Sequence, residues 1–247
     1  MKQTTMEEIQ AEEVEFLGKK LEHKPYKNNF VGYESMTSEL LTATPWDEWV
    51  KGAAYATFAT WDCSCCTPLD KMDKQELEDR LLYMLKSRPI SVAIESAKFM
   101  FRLTGISRAI THQLVRHRAM AFGQQSLRVS NPGCDPIRLP QAFFDTKVDE
   151  DVMNKTIKTL DKLKPLYFEL IAAGVPPEQA RAVLPIGITT KICVTMTLRD
   201  MMDYFRARTS KIAQGEHDYM VHLMIDTMKE EQPKYYAFIA SKLGWEE

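Results

Sequence analysis

Between residues 101 and 134 the chain has no Asp, Glu or Lys, yet it carries Arg102, Arg108, Arg116, Arg118 and Arg128 together with His112 and His117. That segment is formally +5, and because the whole chain is −2 at neutral pH the remaining residues carry −7. Nearby sequence supplies these arginines with no counter-ion, so they are expected to meet either a bound anion or carboxylates brought from the acidic remainder. The exclusive use of Arg is informative, because a guanidinium is a fixed fork that matches a phosphate or an imide edge, whereas Lys is a mobile point charge. On a helix, Arg116, His117 and Arg118 would fan over about 200°, too wide for one carboxylate. An extended polyanionic ligand, or ligands on both sides of the helix, fits that fan better.

The rest of the composition sets limits. With 247 residues, 45% hydrophobic and 27% charged, the chain is long enough to bury a core and reads as a globular protein of one domain, at most two. No run approaches the roughly 18 apolar residues of a membrane span. The first twenty residues hold five glutamates where a secretory signal needs an apolar block, so a cytoplasmic location is expected. Five cysteines, an odd number, argue for reduced thiols rather than a disulfide framework. Cys63, Cys65 and Cys66 lie close together, but no fourth ligand follows at finger-like spacing, so no metal is expected. His217 and His222 are five apart, off the spacing of a helical metal pair, and a structural role is expected for both.

Along the chain, residues 1–35 read as an acidic extension in which Ile9, Val14, Phe16 and Leu17 suggest a weak amphipathic helix, and residues 36–247 as one α+β domain. Residues 36–42 suggest a strand. Thr44-Pro45-Trp46-Asp47 then starts a helix to about Ala59. A second helix is expected over 71–86, and a strand in the latter half of 91–103, ended by Gly105. From Ile106 the pattern Ile106, Ala109, Ile110, Leu114 predicts a helix that carries Gln113, Arg116 and His117 on one face and Arg118 elsewhere, broken near Gly123. Gln124 to Arg128 then run irregular or extended, which would point Ser126 and Arg128 at one ligand. Residues 149–173 are helical with Pro165 as a kink or restart and Gly174 as a stop; Pro177 opens a short helix containing Arg181. Residues 188–195 are β-rich, Thr197-Leu198-Arg199-Asp200 is a capping-box pattern, and a last helix is expected over 213–229.

Several blocks resemble one family. Arg116-His117-Arg118 followed after seven residues by Ser126, the preceding Gly105-Ile106-Ser107-Arg108-Ala109, the stretch from Ala173 to Pro185 around Arg181, and Arg208 followed by Ala213-Gln214 stand in the order and spacing of flavin-dependent thymidylate synthases. The resemblance covers roughly residues 36–240. It implies a mixed α/β homotetramer with FAD and nucleotide held where subunits meet. The implied reaction converts dUMP to dTMP with methylenetetrahydrofolate as carbon donor and NADPH as reductant. By the same resemblance, Gln113, Arg116, Gln124, Gln125, Ser126, Leu127, Arg128, Arg181 and Arg208 match substrate positions, with Arg208 as the catalytic group that polarises the uracil imide. Glu95, Arg116, His117, Arg118, Gln124, Thr197, Arg199 and Asp203 match cofactor positions.

Departures from the family pattern fall on the flavin and folate side. Ala121 and Gly123 stand where Ser and Asn are frequent, Val129 where Tyr is, Ile90 and Ser96 where two His are, Thr197 and Asp203 where Asn is usual, and Gly215 where Trp follows Ala-Gln. A related C5 modification of a pyrimidine nucleotide, such as hydroxymethylation, is therefore a second reading. A non-catalytic nucleic-acid-binding module is a third, disfavoured by the net charge of −2 and by arginines confined to ligand-like positions.

Overall fold

The computed structural model describes residues 14–16, 19–21, 29–58, 69–87, 90–144, 148–209 and 215–245. Its strands in chain order are β1 (Val14–Phe16), β2 (Lys19–Leu21), β3 (Phe30–Val31), β4 (Thr37–Ala43), β5 (Lys98–Ser107), β6 (Ala121–Gln124), β7 (Ile137–Arg138) and β8 (Thr189–Thr197). The chain forms two compact units, both discontinuous in sequence. One comprises Met1–Met36, Thr104–His112 and Gln124–Lys191, the other Thr37–Leu103, Gln113–Gly123 and Ile192–Glu247.

In the first unit β1 pairs antiparallel with β2, Val14 opposite Leu21. Val14 and Phe16 therefore belong to a strand instead of the expected helix, and Ile9 and Leu17 lie outside the described residues. β3 pairs in parallel with β7, Val31 opposite Arg138. Arg138 is buried and donates to the carbonyls of Gly32 and Gly105 and, at 3.0 Å, to Ser35 Oγ. Its charge is thus dispersed over oxygen acceptors, the condition under which a guanidinium tolerates burial.

Gly105 does not end β5 as expected. The strand runs on to Ser107 with Gly105 at φ 70°, where a Cβ would lie 2.5 Å from the Ser35 carbonyl oxygen. Only glycine permits that backbone approach. Further on, Asp149 caps a helix over Glu150–Leu160, and a second runs over Leu163–Ala172. The break falls at Asp161-Lys162, ahead of Pro165, which sits third in the second helix where no intrahelical amide donor is required. Gly174 follows at φ 87°. Pro177–Ala180 is helical and Arg181–Val183 a 3₁₀ turn.

The second unit holds most of a four-stranded sheet in the order β4-β5-β8-β6. Helices Trp46–Phe58, Lys74–Ser87, Ser91–Glu95, Leu198–Arg208, Gly215–Glu231 and Pro233–Leu243 accompany it. The short Ser91–Glu95 helix precedes the strand expected in the latter half of 91–103, which forms as β5, and Pro233–Leu243 was not foreseen, although Pro at its start and Gly244 in the left-handed region beyond its end are ordinary helix boundaries. Trp49, Phe99 and Tyr235 are fully buried; Trp49 donates to the Ala93 carbonyl at 2.7 Å and Tyr235 to that of Thr44 at 3.0 Å, so each ring packs apolar surface while its polar tip is satisfied. Among the described residues no helix is long and apolar enough to cross a membrane, and no three His, Cys, Asp or Glu side chains gather as a metal site. Cys63, Cys65 and Cys66 lie outside the described residues.

Candidate functional site

The helix Arg108–Leu114, whose last two residues Gln113 and Leu114 belong to the second unit, stops where its apolar repeat stops. The next buried side chain, Met120, is six residues on, and β-branched Val115 intervenes. Amide bonds from Arg116 to Gln113 O (3.2 Å) and from His117 to Leu114 O (3.1 Å) make the following residues a turn. Arg116, His117 and Arg118 are therefore not on a helix, and the expected common face with Gln113 does not form. Gly123 lies inside β6 and breaks nothing. Arg116 and Arg118 are exposed and meet no carboxylate among the described residues, whereas Arg102 pairs with Glu39 and so has the counter-ion that its own segment lacks.

His117 turns the other way. Arg208, the last residue of Leu198–Arg208, places Nε 3.2 Å and Nη2 3.1 Å from His117 Nε2, and Nη1 3.5 Å from Gln113 Oε1. A guanidinium only donates, so His117 Nε2 carries the lone pair and the ring is neutral with its proton on Nδ1. Behind lies a second imidazole that the motif did not mark. His217, fully buried in the first turn of Gly215–Glu231, has Nδ1 3.5 Å from the same Gln113 oxygen and Nε2 2.8 Å from the Tyr204 hydroxyl. Tyr204 also meets the His117 ring edge-on at 4.8 Å. Burial first, and the Arg208 charge second, hold the basicity of both imidazoles down, that of His217 to about 3. Burial pushes the Tyr204 phenol well above its ordinary range.

Glu95, Thr197, Arg199 and Asp203, also matched to a cofactor, are engaged within this unit. Arg199 pairs with Glu95 at 2.9 Å and donates to Ser91 Oγ at 2.7 Å. Thr197 and Asp200 form the expected capping box, with the Thr197 hydroxyl also 2.7 Å from the Asp200 carboxylate. Asp203 is exposed and pairs with Arg206 at 3.2 Å. Ala213 and Gln214 lie outside the described residues.

The first unit gathers a separate polar group. Arg108, half-buried, donates to Gln125 O at 2.6 Å, and burial followed by the like charge of Arg181 lowers its pKa. Two guanidinium groups close enough to repel make a favourable place for an anion. Arg108 was not assigned to the site from sequence, although the Gly105-to-Ala109 block contained it. Gln124 donates to Thr111 Oγ1 at 3.1 Å, and Gln125 donates to Asp135 at 3.0 Å and to Ser130 at 3.3 Å. Leu127 is buried. Ser126 and Arg128 are not on an extended stretch: Ser126 Oγ accepts the Arg128 amide at 3.2 Å, Ser126 O accepts the Ser130 amide at 3.0 Å, and the chain turns between them. Arg128 is exposed, and Arg181 donates from Nε to Glu178 O at 3.1 Å.

Comparison with known proteins agrees with this residue pattern. Residues 39–234 match the family model described as thymidylate synthase complementing protein. A flavin-dependent thymidylate synthase of Sulfurisphaera tokodaii is 30% identical over 179 residues, covering 72% of this chain and 66% of that protein. One from Pyrococcus furiosus is 32% identical over 176 residues, covering 70% and 71%. The chain thus spans about two thirds of the length of these relatives. A solved UMP/dUMP methylase of Streptomyces cacaoi, bound with 5-bromo-dUMP, has a similar fold, with a TM-score of 0.66 and 17% identity over 84% of this chain and 95% of that one. With a family match running through both groups of side chains, the chain belongs to the flavin-dependent thymidylate synthase family.

Proposed function

We propose that this protein is a cytoplasmic enzyme that methylates C5 of dUMP to give dTMP, with FAD, methylenetetrahydrofolate and NADPH, as a homotetramer. The observation that carries the reading is Arg208. Its acceptors on His117 and Gln113 are neutral, so its charge is oriented without being cancelled by them. Placed at the N3–O4 edge of uracil, such a cation stabilises negative charge there and leaves C5 electron-rich without a covalent enzyme nucleophile. Cys134 fits that scheme, because burial pushes its thiol pKa up, away from a reactive thiolate. The names of the relatives and the nucleotide in the Streptomyces structure support the substrate class.

Arg108, Ser126, Arg128 and Arg181 are assigned to the phosphate, with Gln124 and Gln125 ordering the turn that carries Ser126 and Arg128. Leu127 acts through the core. Gln113 and Arg208 are assigned to the base, and neighbouring copies in the tetramer supply the two groups to one nucleotide. The donor set suits a flavin dinucleotide. Exposed Arg116 and Arg118 match a pyrophosphate, and Arg199, backed by Glu95, presents a further guanidinium beside the capped Thr197. Asp203 and His117 complete the set, His117 through its hold on Arg208. When bound, flavin supplies the reducing equivalents that convert a transferred one-carbon unit to methyl.

Incubation with dUMP, methylenetetrahydrofolate and NADPH, followed by mass analysis of the nucleotide, tests the reading. A gain of CH2 is expected. A gain of CH2O identifies the hydroxymethylating alternative, and unchanged dUMP with a flavin-free protein that shifts oligonucleotides identifies a binding module.

A further inference from the structure

A groove in the second unit shares no lining residue with either group of side chains described above. The helices Lys74–Ser87 and Pro233–Leu243 run alongside each other in the same direction: Lys234 Nζ pairs with Glu78 at 3.1 Å, and near the far ends Lys242 donates to the Leu85 carbonyl. Side chains four apart stack on one face of a helix, which puts Leu82 between Glu78 and Lys86 on the first and Phe238 between Lys234 and Lys242 on the second. The two faces flank an open cavity of about 420 Å³, a size within the small-molecule range of roughly 300–1,000 Å³. Its apolar wall is Trp46, Leu82, Ala237 and Phe238, with Tyr83 75% exposed at the rim.

The ends of the groove differ in charge. Lys234, 5.5 Å from the centroid of the Trp46 ring, is neutralised by Glu78. At the other end Lys86 and Lys242 meet no carboxylate among the described residues, and burial first, then the like charge of Lys86, lowers the Lys242 pKa. Two ammonium groups therefore stand together. Both helices end there, and a helix C-terminus carries roughly half a negative charge, so the two termini offset one ammonium and leave the other uncompensated. An ammonium is a point charge rather than a fork, which suits a single carboxylate, and the aromatic wall suits a ring. We propose that this groove binds an aromatic monocarboxylate, with its ring against Trp46 and Phe238 and its acid group at Lys86 and Lys242. The inference stands independently of the substrate assigned to Arg208.

Calorimetric titration of the full-length, flavin-loaded protein at low ionic strength, with dUMP in excess, tests it. The probes are 2-naphthoate and its neutral analogue 2-naphthylmethanol. The wild-type protein is expected to bind the acid at least about tenfold more tightly than the alcohol, and that preference should shrink as salt is added. Lys86→Glu, at an exposed position, should abolish the preference while the alcohol still binds as before. Ala237→Trp, also at an exposed position, fills the groove and should remove binding of both probes. Flavin content and dUMP affinity are expected to stay unchanged in both variants. Equal wild-type affinity for the two probes overturns the proposal, whatever the variants do, and so does 2-naphthoate binding that neither substitution alters. Binding of neither probe overturns it too; if Ala237→Trp then also lowers the oligomeric state, the groove is covered by a second copy of the chain.

Discussion

Arg208→Ala is expected to lower kcat for dUMP methylation by about a thousandfold while flavin content changes little, since removal of one preorganised donor from a site of developing charge costs on that scale. The substitution also removes the charge that helps keep His117 and His217 unprotonated, so both imidazoles should titrate at higher pH in the variant. Steady-state kinetics with flavin absorbance, and histidine NMR titration, check the two parts. Arg208→Lys should recover little. A single ammonium cannot reproduce a fork that reaches His117 through Nε and Nη2 and Gln113 through Nη1. Equal loss of flavin and turnover in Arg208→Ala would contradict the assignment of this residue to the nucleotide.

The second large effect is on stability in acid. His217 has a folded pKa of about 3 against 6.5 for the free side chain. Above pH 6.5 it is neutral in both states and contributes no pH dependence. As pH falls below that value the unfolded chain takes up a proton that the folded one refuses, so stability falls until the folded pKa is reached. Between pH 6.5 and 4.5 the loss from this group is about 2–3 kcal/mol. His117, depressed for the same reasons, acts in the same direction. Asp135 acts in the opposite one, because burial raises its carboxyl pKa despite the Gln125 hydrogen bond and the nearby Lys191, Lys164 and Arg108 charges. Denaturant unfolding of His217→Phe across this range should show a shallower fall than wild type. An unchanged slope would mean that His217 is protonated as readily in the folded protein as in the unfolded chain.

Features set by local chemistry were legible in the sequence. Thr197 and Asp200 satisfy each other across one helical turn, and that pattern needs no tertiary partner to be read. The arginine segment shows the opposite case. Charge counting identified cations without local counter-ions, which holds for Arg116, Arg118 and Arg128 among the described residues, but Arg102 finds Glu39 on another strand. Helical periodicity was extended past Leu114 although the apolar repeat had already ended, and the polar residues beyond it fit a turn equally well. Gly105 read as a terminator because glycine usually interrupts strands; its role here depends on the Ser35 carbonyl, seventy residues earlier. His217 was assigned a structural role because it stands five residues from His222, off the spacing of a helical metal pair, and its partners, Tyr204 and Gln113, thirteen and more than a hundred residues away, leave no mark on that spacing. Spacing within a motif cannot report a network assembled from three chain segments.

The central claim, that a guanidinium held by neutral acceptors grips the carbonyl edge of a pyrimidine, is tested most directly by comparing dUMP with dCMP. The two differ at the N3–C4 edge, where the N3–H and C4 carbonyl of dUMP become a bare N3 and a C4 amino group, and it is the amino group, standing in place of the carbonyl, that opposes the Arg208 donors. Calorimetric titration of the flavin-loaded protein should show dUMP binding at least about a hundredfold more tightly, with most of that preference lost in Arg208→Ala. Equal affinity for the two nucleotides, or a preference that survives removal of Arg208, would contradict the account.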